Sequence, residues 1–133
     1  MESAERIKIL IVEDNPDMLD LYAGMFKHEQ RFEVEMQSDA MTALRRVEET
    51  KFDLIILDII MEPLTGESFF VYLRGNVKTM HLPVIVVSVL EPHTLDALKK
   101  LNHSMMLQKP IRKEDLFSAI DKMLAQSEQS RRI

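Results

Sequence analysis

Almost unbroken apolar runs stand at residues 7–12, 54–57 and 84–87, and weaker ones at 32–36 and 105–107. Each is too short for a helix, and the strongest are rich in Ile and Val. Without polar alternation, both faces of such strands must be covered, as in a parallel sheet flanked by helices. We number these predicted strands β1 (7–12), β2 (32–36), β3 (54–57), β4 (84–87) and β5 (105–107).

The intervening stretches have helical spacing. Helix α1 starts at Asn15-Pro16, an N-cap followed by proline at the first helical position, and aligns Met18, Leu21 and Met25. Helix α2 is capped by Ser38 or Asp39 and aligns Met41, Leu44 and Val47. Helix α3 runs from Thr65 or Gly66 to Arg74, pairs Phe69 with Leu73, and has Gly75 as its stop. Helix α4 covers residues 94–101, and α5 covers 113–125 with Leu116, Ile120 and Met123 on one face. Strand and helix therefore alternate five times, which predicts an α/β fold with a doubly wound five-stranded parallel sheet and five helices. The domain is expected to fill residues 1–126, with a frayed polar tail at 127–133.

Composition narrows the function classes. A chain of 133 residues, 46% hydrophobic, suits one domain with its own core. The absence of Cys excludes disulfides, thiolate zinc sites and cysteine nucleophiles. A net charge of −5 disfavours direct binding to nucleic acid or to an anionic membrane. No apolar run approaches the roughly 18 residues needed to span a bilayer, and residues 1–6 lack the look of an export signal. A cytoplasmic location is expected.

Candidate chemistry follows the apolar runs. β1 leads into Glu13-Asp14, β3 into Asp58, β4 into Ser88, and β5 into Gln108-Lys109-Pro110. In an open α/β sheet the carboxyl ends of the strands border the crevice where ligands bind. Taken singly, each residue has an ordinary explanation as a cap, a turn hydroxyl or a solvated strand end. Asp58 is the exception, because an ionised carboxylate between Leu57 and Ile59-Ile60 is costly unless compensated. Two carboxylates about 4 Å apart repel by about 4 kcal/mol at an effective dielectric near 20. Three of them call for cations. Lys109 supplies one positive charge, and Mg²⁺, a hard ion that favours carboxylates together with phosphate oxygens, suits the rest. A metal beside a nucleophilic carboxylate reads as a phosphoryl-transfer site that makes an aspartyl phosphate.

Glu13-Asp14-Asn15, Asp58-Ile-Ile-Met61 with Gly66, Pro83-Val-Ile-Val-Val-Ser88 and Lys109-Pro110 together resemble the receiver domain of two-component response regulators, over residues 7–124. The resemblance implies a flavodoxin-like sheet of order 2-1-3-4-5 and a cis Lys109-Pro110 peptide. It implies that Asp58 takes a phosphoryl group from a histidine kinase or histidine phosphotransfer protein. Glu13, Asp14, Asp58 and the backbone carbonyl of Ile60 would surround Mg²⁺, while Ser88 and Lys109 would bind the phosphoryl oxygens. Such a domain is a signalling module rather than an enzyme. It would switch its α4–β5–α5 face toward a downstream effector or a fused output domain outside this chain, with a phosphorylation-dependent homodimer as a family inference.

This chain departs from the family pattern in places. Glu62 precedes Pro63 where Met-Pro is usual, Val89 follows Ser88 where Ala or Gly is usual, and Asn102-His103 stands where Gly-Ala is frequent. Met106 takes the place of the switch aromatic and is the candidate switch position, in a β4-to-β5 segment one residue shorter than common. Ile60 and Leu90 cannot orient an attacking water, so slow self-dephosphorylation is expected. An Ile60→Asn variant should lose its phosphoryl group faster, which decay of the phosphorylated form checks. His28, His81, His93 and His103 share no metal-ligand spacing and read as surface or packing residues. A haloacid-dehalogenase-like phosphatase would need a second Asp where Ile60 stands, and a nucleotide-binding module would need a Gly loop after β1. The remaining alternative is a receiver-like interaction module that is never phosphorylated.

Overall fold

The computed structural model describes residues 6–58, 66–89 and 103–131. The strands are β1 Ile7–Val12, β2 Phe32–Gln37, β3 Leu54–Asp58, β4 Val84–Ser88 and β5 Ser104–Gln108. They form one sheet of order β2-β1-β3-β4-β5 with every pairing parallel, as the resemblance implied. The described helices are α1 Pro16–Phe26, α2 Ala40–Glu49, α3 Gly66–Arg74 and α5 Lys113–Arg131. The predicted α4 lies outside the described residues. Helix α5 continues past Ala125 to Arg131, so the polar stretch at 126–131 is helical.

Side chains alternate across each strand, and the sheet therefore has two cores. Leu10, Val12, Ile55, Leu57, Val84 and Val86 face α2 and α3, where Ala43, Val47, Phe69, Phe70 and Leu73 meet them. Ile9, Ile11, Leu54, Ile56, Ile85 and Val87 face α1 and α5, against Tyr22, Phe26, Leu116 and Ile120. The three central strands carry no exposed residue from Ile9 onward, which is why they read as continuous apolar runs. Edge strand β2 instead keeps Glu33 and Glu35 among its apolar positions, and Glu35 pairs with Arg46 of α2 at 2.6 Å.

Local signals set the helix starts. Asn15 Oδ1 accepts from the backbone N–H of Asp17 at 2.8 Å and of Met18 at 3.2 Å. Asp39, not Ser38, caps α2, accepting from Met41 N and Thr42 N. Two face assignments shift by one residue. Leu21 and Met41 are exposed, whereas Tyr22 and Ala40 are buried, because the inward faces follow 18, 22, 25, 26 and 40, 43, 44, 47. Gly75 follows α3 without a positive φ, and a Cβ there would make ordinary contact with Val71 O at 3.6 Å. Helix α3 therefore ends without a left-handed glycine cap.

A clasp beyond α3 joins Arg74 to His103, residues too far apart in sequence for any local pattern to pair them. Arg74 donates to the carbonyls of Thr79 at 3.3 Å and His103 at 3.0 Å, and its guanidinium lies 4.8 Å from the Phe70 ring centroid. This ties the α3–β4 connection to the start of β5. Arg74→Met keeps the stem and removes the donors, and should cost about 1–3 kcal/mol in urea unfolding.

Candidate functional site

Parallel strands of matched register end on one edge. Val12 pairs with Leu57, Asp58 with Val87, and Ser88 with Gln108. The residues that end or follow four strands therefore converge: Glu13 and Asp14 after β1, Asp58 ending β3, Ser88 ending β4, and Lys109 after β5. Glu13 is 1% exposed, Asp58 7% and Ser88 2%, while Asp14 faces solvent. The pocket is thus a buried acidic floor with one carboxylate at its mouth.

One oxygen from each of Glu13, Asp14 and Asp58 lies within 4.8 Å of the others. Lys109 Nζ stands 3.1 Å from Glu13 Oε1 and 3.6 Å from Asp58 Oδ2. The opposite Glu13 oxygen accepts the Asn15 backbone N–H at 3.2 Å, so the α1 cap and the site share one turn. Lys109 is held at its root, since its backbone N–H donates to Ser88 O at 2.7 Å. The Lys109-Pro110 peptide is cis, as the resemblance implied.

Burial pushes the Glu13 carboxyl up from 4.5 to about 7, the Asp58 carboxylate beside it acts in the same direction, and Lys109 opposes them. Without a metal, Glu13 is therefore a proton-holding acid near neutrality. Three carboxylates facing one ammonium leave the site electron-rich, with hard oxygen donors gathered at one point. That donor set fits a small divalent cation of the magnesium class. Beside it, the Asp58 carboxylate has the chemistry of an oxygen nucleophile.

The other expected positions divide. Met106 lies on β5, half-buried, and packs against the core on the α2–α3 face. Val89, after Ser88, is 60% exposed. Ile60, Glu62, Leu90 and Asn102 lie outside the described residues. Sequence reasoning missed Tyr22, which is 1% exposed and has its hydroxyl pushed above the tyrosine range by burial and by the Glu13 and Asp58 charges. Its spacing from Met18 and Phe26 carries the signal, although Leu21 is the more apolar residue of that turn. Among the histidines, His81 and His103 meet, with Nδ1 and Nε2 3.2 Å apart, although their positions in sequence showed no pattern.

Comparison with known proteins agrees with this geometry. The chain is 30% identical to transcription factor SKN7 of Candida albicans over 121 residues, covering 90% of this chain and 21% of that protein. It is 34% identical to Protein PilH of Pseudomonas aeruginosa over 121 residues, covering 89% of this chain and 98% of PilH. The chain thus spans about a fifth of the first relative and nearly all of the second. A crystal structure of the receiver domain of a sensor histidine kinase from P. aeruginosa, with magnesium coordinated in its active site cleft, superposes with a TM-score of 0.80. That match has 23% identity and covers 91% of this chain and 99% of the other. A family model, the response regulator receiver domain, matches residues 9–121. Since this match runs from within β1 to within α5, the chain belongs to the response regulator receiver domain family.

Proposed function

We propose that this receiver domain is the phosphoacceptor of a two-component phosphorelay and that Asp58 takes the phosphoryl group. The convergence of Glu13, Asp14 and Asp58 under the Lys109 ammonium carries the reading. An Asp58 oxygen attacks the phosphorus of a phosphohistidine on a histidine kinase or phosphotransfer protein. The O–P bond forms, the N–P bond breaks, and the imidazole leaves with the electron pair. The donor is already reactive, so the domain contributes position and charge neutralisation rather than a strong base. Lys109 moves its pairing from the carboxylates to the phosphoryl oxygens, and the Ser88 hydroxyl donates to them. Glu13, Asp14 and Asp58 are the side chains that would hold Mg²⁺, with the Ile60 carbonyl as a further expected donor. When bound, the ion supplies positive charge and orientation for the transferring group. Magnesium in the cleft of the structurally similar kinase receiver supports this reading.

Metal binding must displace the Glu13 proton, which sets a pH dependence. The folded, metal-free chain holds that proton between about pH 4.5 and 7, where the unfolded chain has released it. Stability contributed by this group is therefore lost as pH rises through that interval. Mg²⁺ affinity should run the other way, rising up to about tenfold per pH unit below neutrality and levelling above it. Isothermal titration from pH 5.5 to 8 checks the slope.

A phosphoryl group adds roughly 1.5 to 2 negative charges near neutral pH. Pulling Ser88 toward that charge shifts the chain after β4 and with it the α4–β5–α5 face, where Met106 replaces the usual aromatic. The partners are then the phosphodonor and an effector protein or fused output domain, with a phosphorylation-dependent homodimer as one form of output. The signalling unit is assigned to residues 1–126, followed by the segment 127–133. Among the described residues, no helix is long and apolar enough to cross a membrane, and we assign the domain to the cytoplasm as a signalling domain without enzymatic turnover of its own.

The test is incubation with a small-molecule phosphodonor, with and without Mg²⁺, followed by intact mass. One phosphoryl increment should form, and only with the metal. A chain that stays unmodified with metal present is an interaction module instead.

A further inference from the structure

The sheet has a second concavity at the edge opposite Asp58. It has a volume of about 620 Å³ and opens below the starts of β3, β4 and β5, since Phe52, Pro83 and His103 line it. The five residues of β3 separate it from Asp58 by roughly 16 Å of strand. That volume is in the range of small-molecule sites, about 300–1,000 Å³. The phosphoacceptor chemistry makes no use of it.

Its lining divides by chemistry. Val47, Phe52, Leu82 and Pro83 form the apolar wall, and Val77, 85% exposed, stands at the rim. All charged or ionisable groups among the described lining residues are basic: Lys51, Lys78, His81 and His103. Lys51 and Lys78 are exposed and form no ion pair among the described residues. A net-negative protein thus gathers two lysines, with no acidic group among the described lining residues, around one apolar hollow.

The floor is also held in place. His103 has φ 63°, a left-handed conformation uncommon for a residue with a side chain. Its carbonyl is clamped by Val84 N–H at 2.9 Å and Arg74 Nη2 at 3.0 Å, and its ring meets His81 edge to face. Thr79, also in the lining, donates its hydroxyl to Leu73 O at 2.7 Å. Pockets bind well when their walls are positioned before the ligand arrives.

We propose that this hollow is a binding site for a small organic anion with an apolar body, such as an aromatic or aliphatic carboxylate or sulfonate. The body packs on Phe52, Leu82 and Val47, and the anionic group sits at the rim between the lysines and the histidine pair. Neither half suffices alone: a neutral apolar molecule leaves the lysines unused, and an inorganic anion leaves the wall wet.

A matched pair of probes tests this on the full chain. 8-Anilinonaphthalene-1-sulfonate carries the anionic group, and N-phenyl-1-naphthylamine has the same rings without it. The sulfonate should bind saturably at one site, with NMR shifts confined to the methyls of Val47, Val77 and Leu82 and the rings of His81 and His103. The uncharged probe should bind about tenfold or more weakly. The double variant Lys51→Glu/Lys78→Glu, exposed at both positions, should weaken the sulfonate by a similar factor and leave the neutral probe unchanged. Its urea midpoint should match that of the parent chain. Equal affinity for the two probes, indifference to the double charge reversal, non-saturable binding, or shifts that map elsewhere would each overturn the site. Phosphodonor labelling of Asp58 is read separately, so failure here leaves the phosphoacceptor reading untouched.

Discussion

Asp58→Asn is expected to abolish the phosphoryl adduct completely while leaving the domain folded. The amide keeps the shape of the side chain at the end of β3 but lacks the anionic oxygen that the proposed phosphoacceptor role requires. Neither Glu13 nor Asp14 can substitute. Glu13 is held by Lys109 and the Asn15 backbone, and Asp14 points to solvent at the mouth. Electrostatics predicts a second result of opposite sign. The substitution removes a buried carboxylate from beside Glu13, and with it part of what pushes the Glu13 pKa up. The metal-free variant should be at least as stable as the parent above neutral pH, while its Mg²⁺ affinity falls. Intact mass after phosphodonor treatment reads the first result and urea unfolding the second. An adduct persisting in the variant would move the acceptor to another side chain.

Phe70→Ala is expected to cost about 3–5 kcal/mol, the largest stability loss among these predictions. Phe70 is fully buried between α3 and the sheet, in the core with Leu57, Val84 and Val86. Truncation loses its transfer energy and leaves a cavity under Arg74, whose guanidinium also loses the ring it covers. A small domain holds only about 5–15 kcal/mol in total, so much of that margin disappears. Val71, the next residue on the same helix, is 59% exposed, and Val71→Ala should stay within about 0.5 kcal/mol. The contrast in urea midpoints at constant slope separates core packing from helix propensity.

The strands and the site were legible for one physical reason. A parallel strand covered on both faces has no room for polar alternation, so β1, β3 and β4 stand out as apolar runs. A charge that directly follows such a run must lie at the sheet edge, which marks Glu13 and Asp58, and Lys109 takes the same place one residue after the weaker run of β5. Edge strand β2 and half-buried β5 give weaker runs, which end one or two residues short of the strands themselves. Helix faces were less certain, because neighbouring apolar residues in one turn compete for the inward position. Leu21 and Met41 are as apolar as any core residue, yet Tyr22 and Ala40 sit inside. Hydrophobicity alone does not rank a tyrosine above a leucine.

From its order of residues alone, this chain determined an α/β alternation and a set of carboxylates and one ammonium at strand ends, since both follow from local periodicity and from the direction of parallel strands. Only the tertiary structure decided that Lys109 reaches Glu13 across 96 residues of chain, that His81 meets His103, and that Arg74 ties the Thr79 carbonyl to that of His103. Those contacts depend on distances between elements remote in sequence, and such distances exist only once packing and register have brought the elements together.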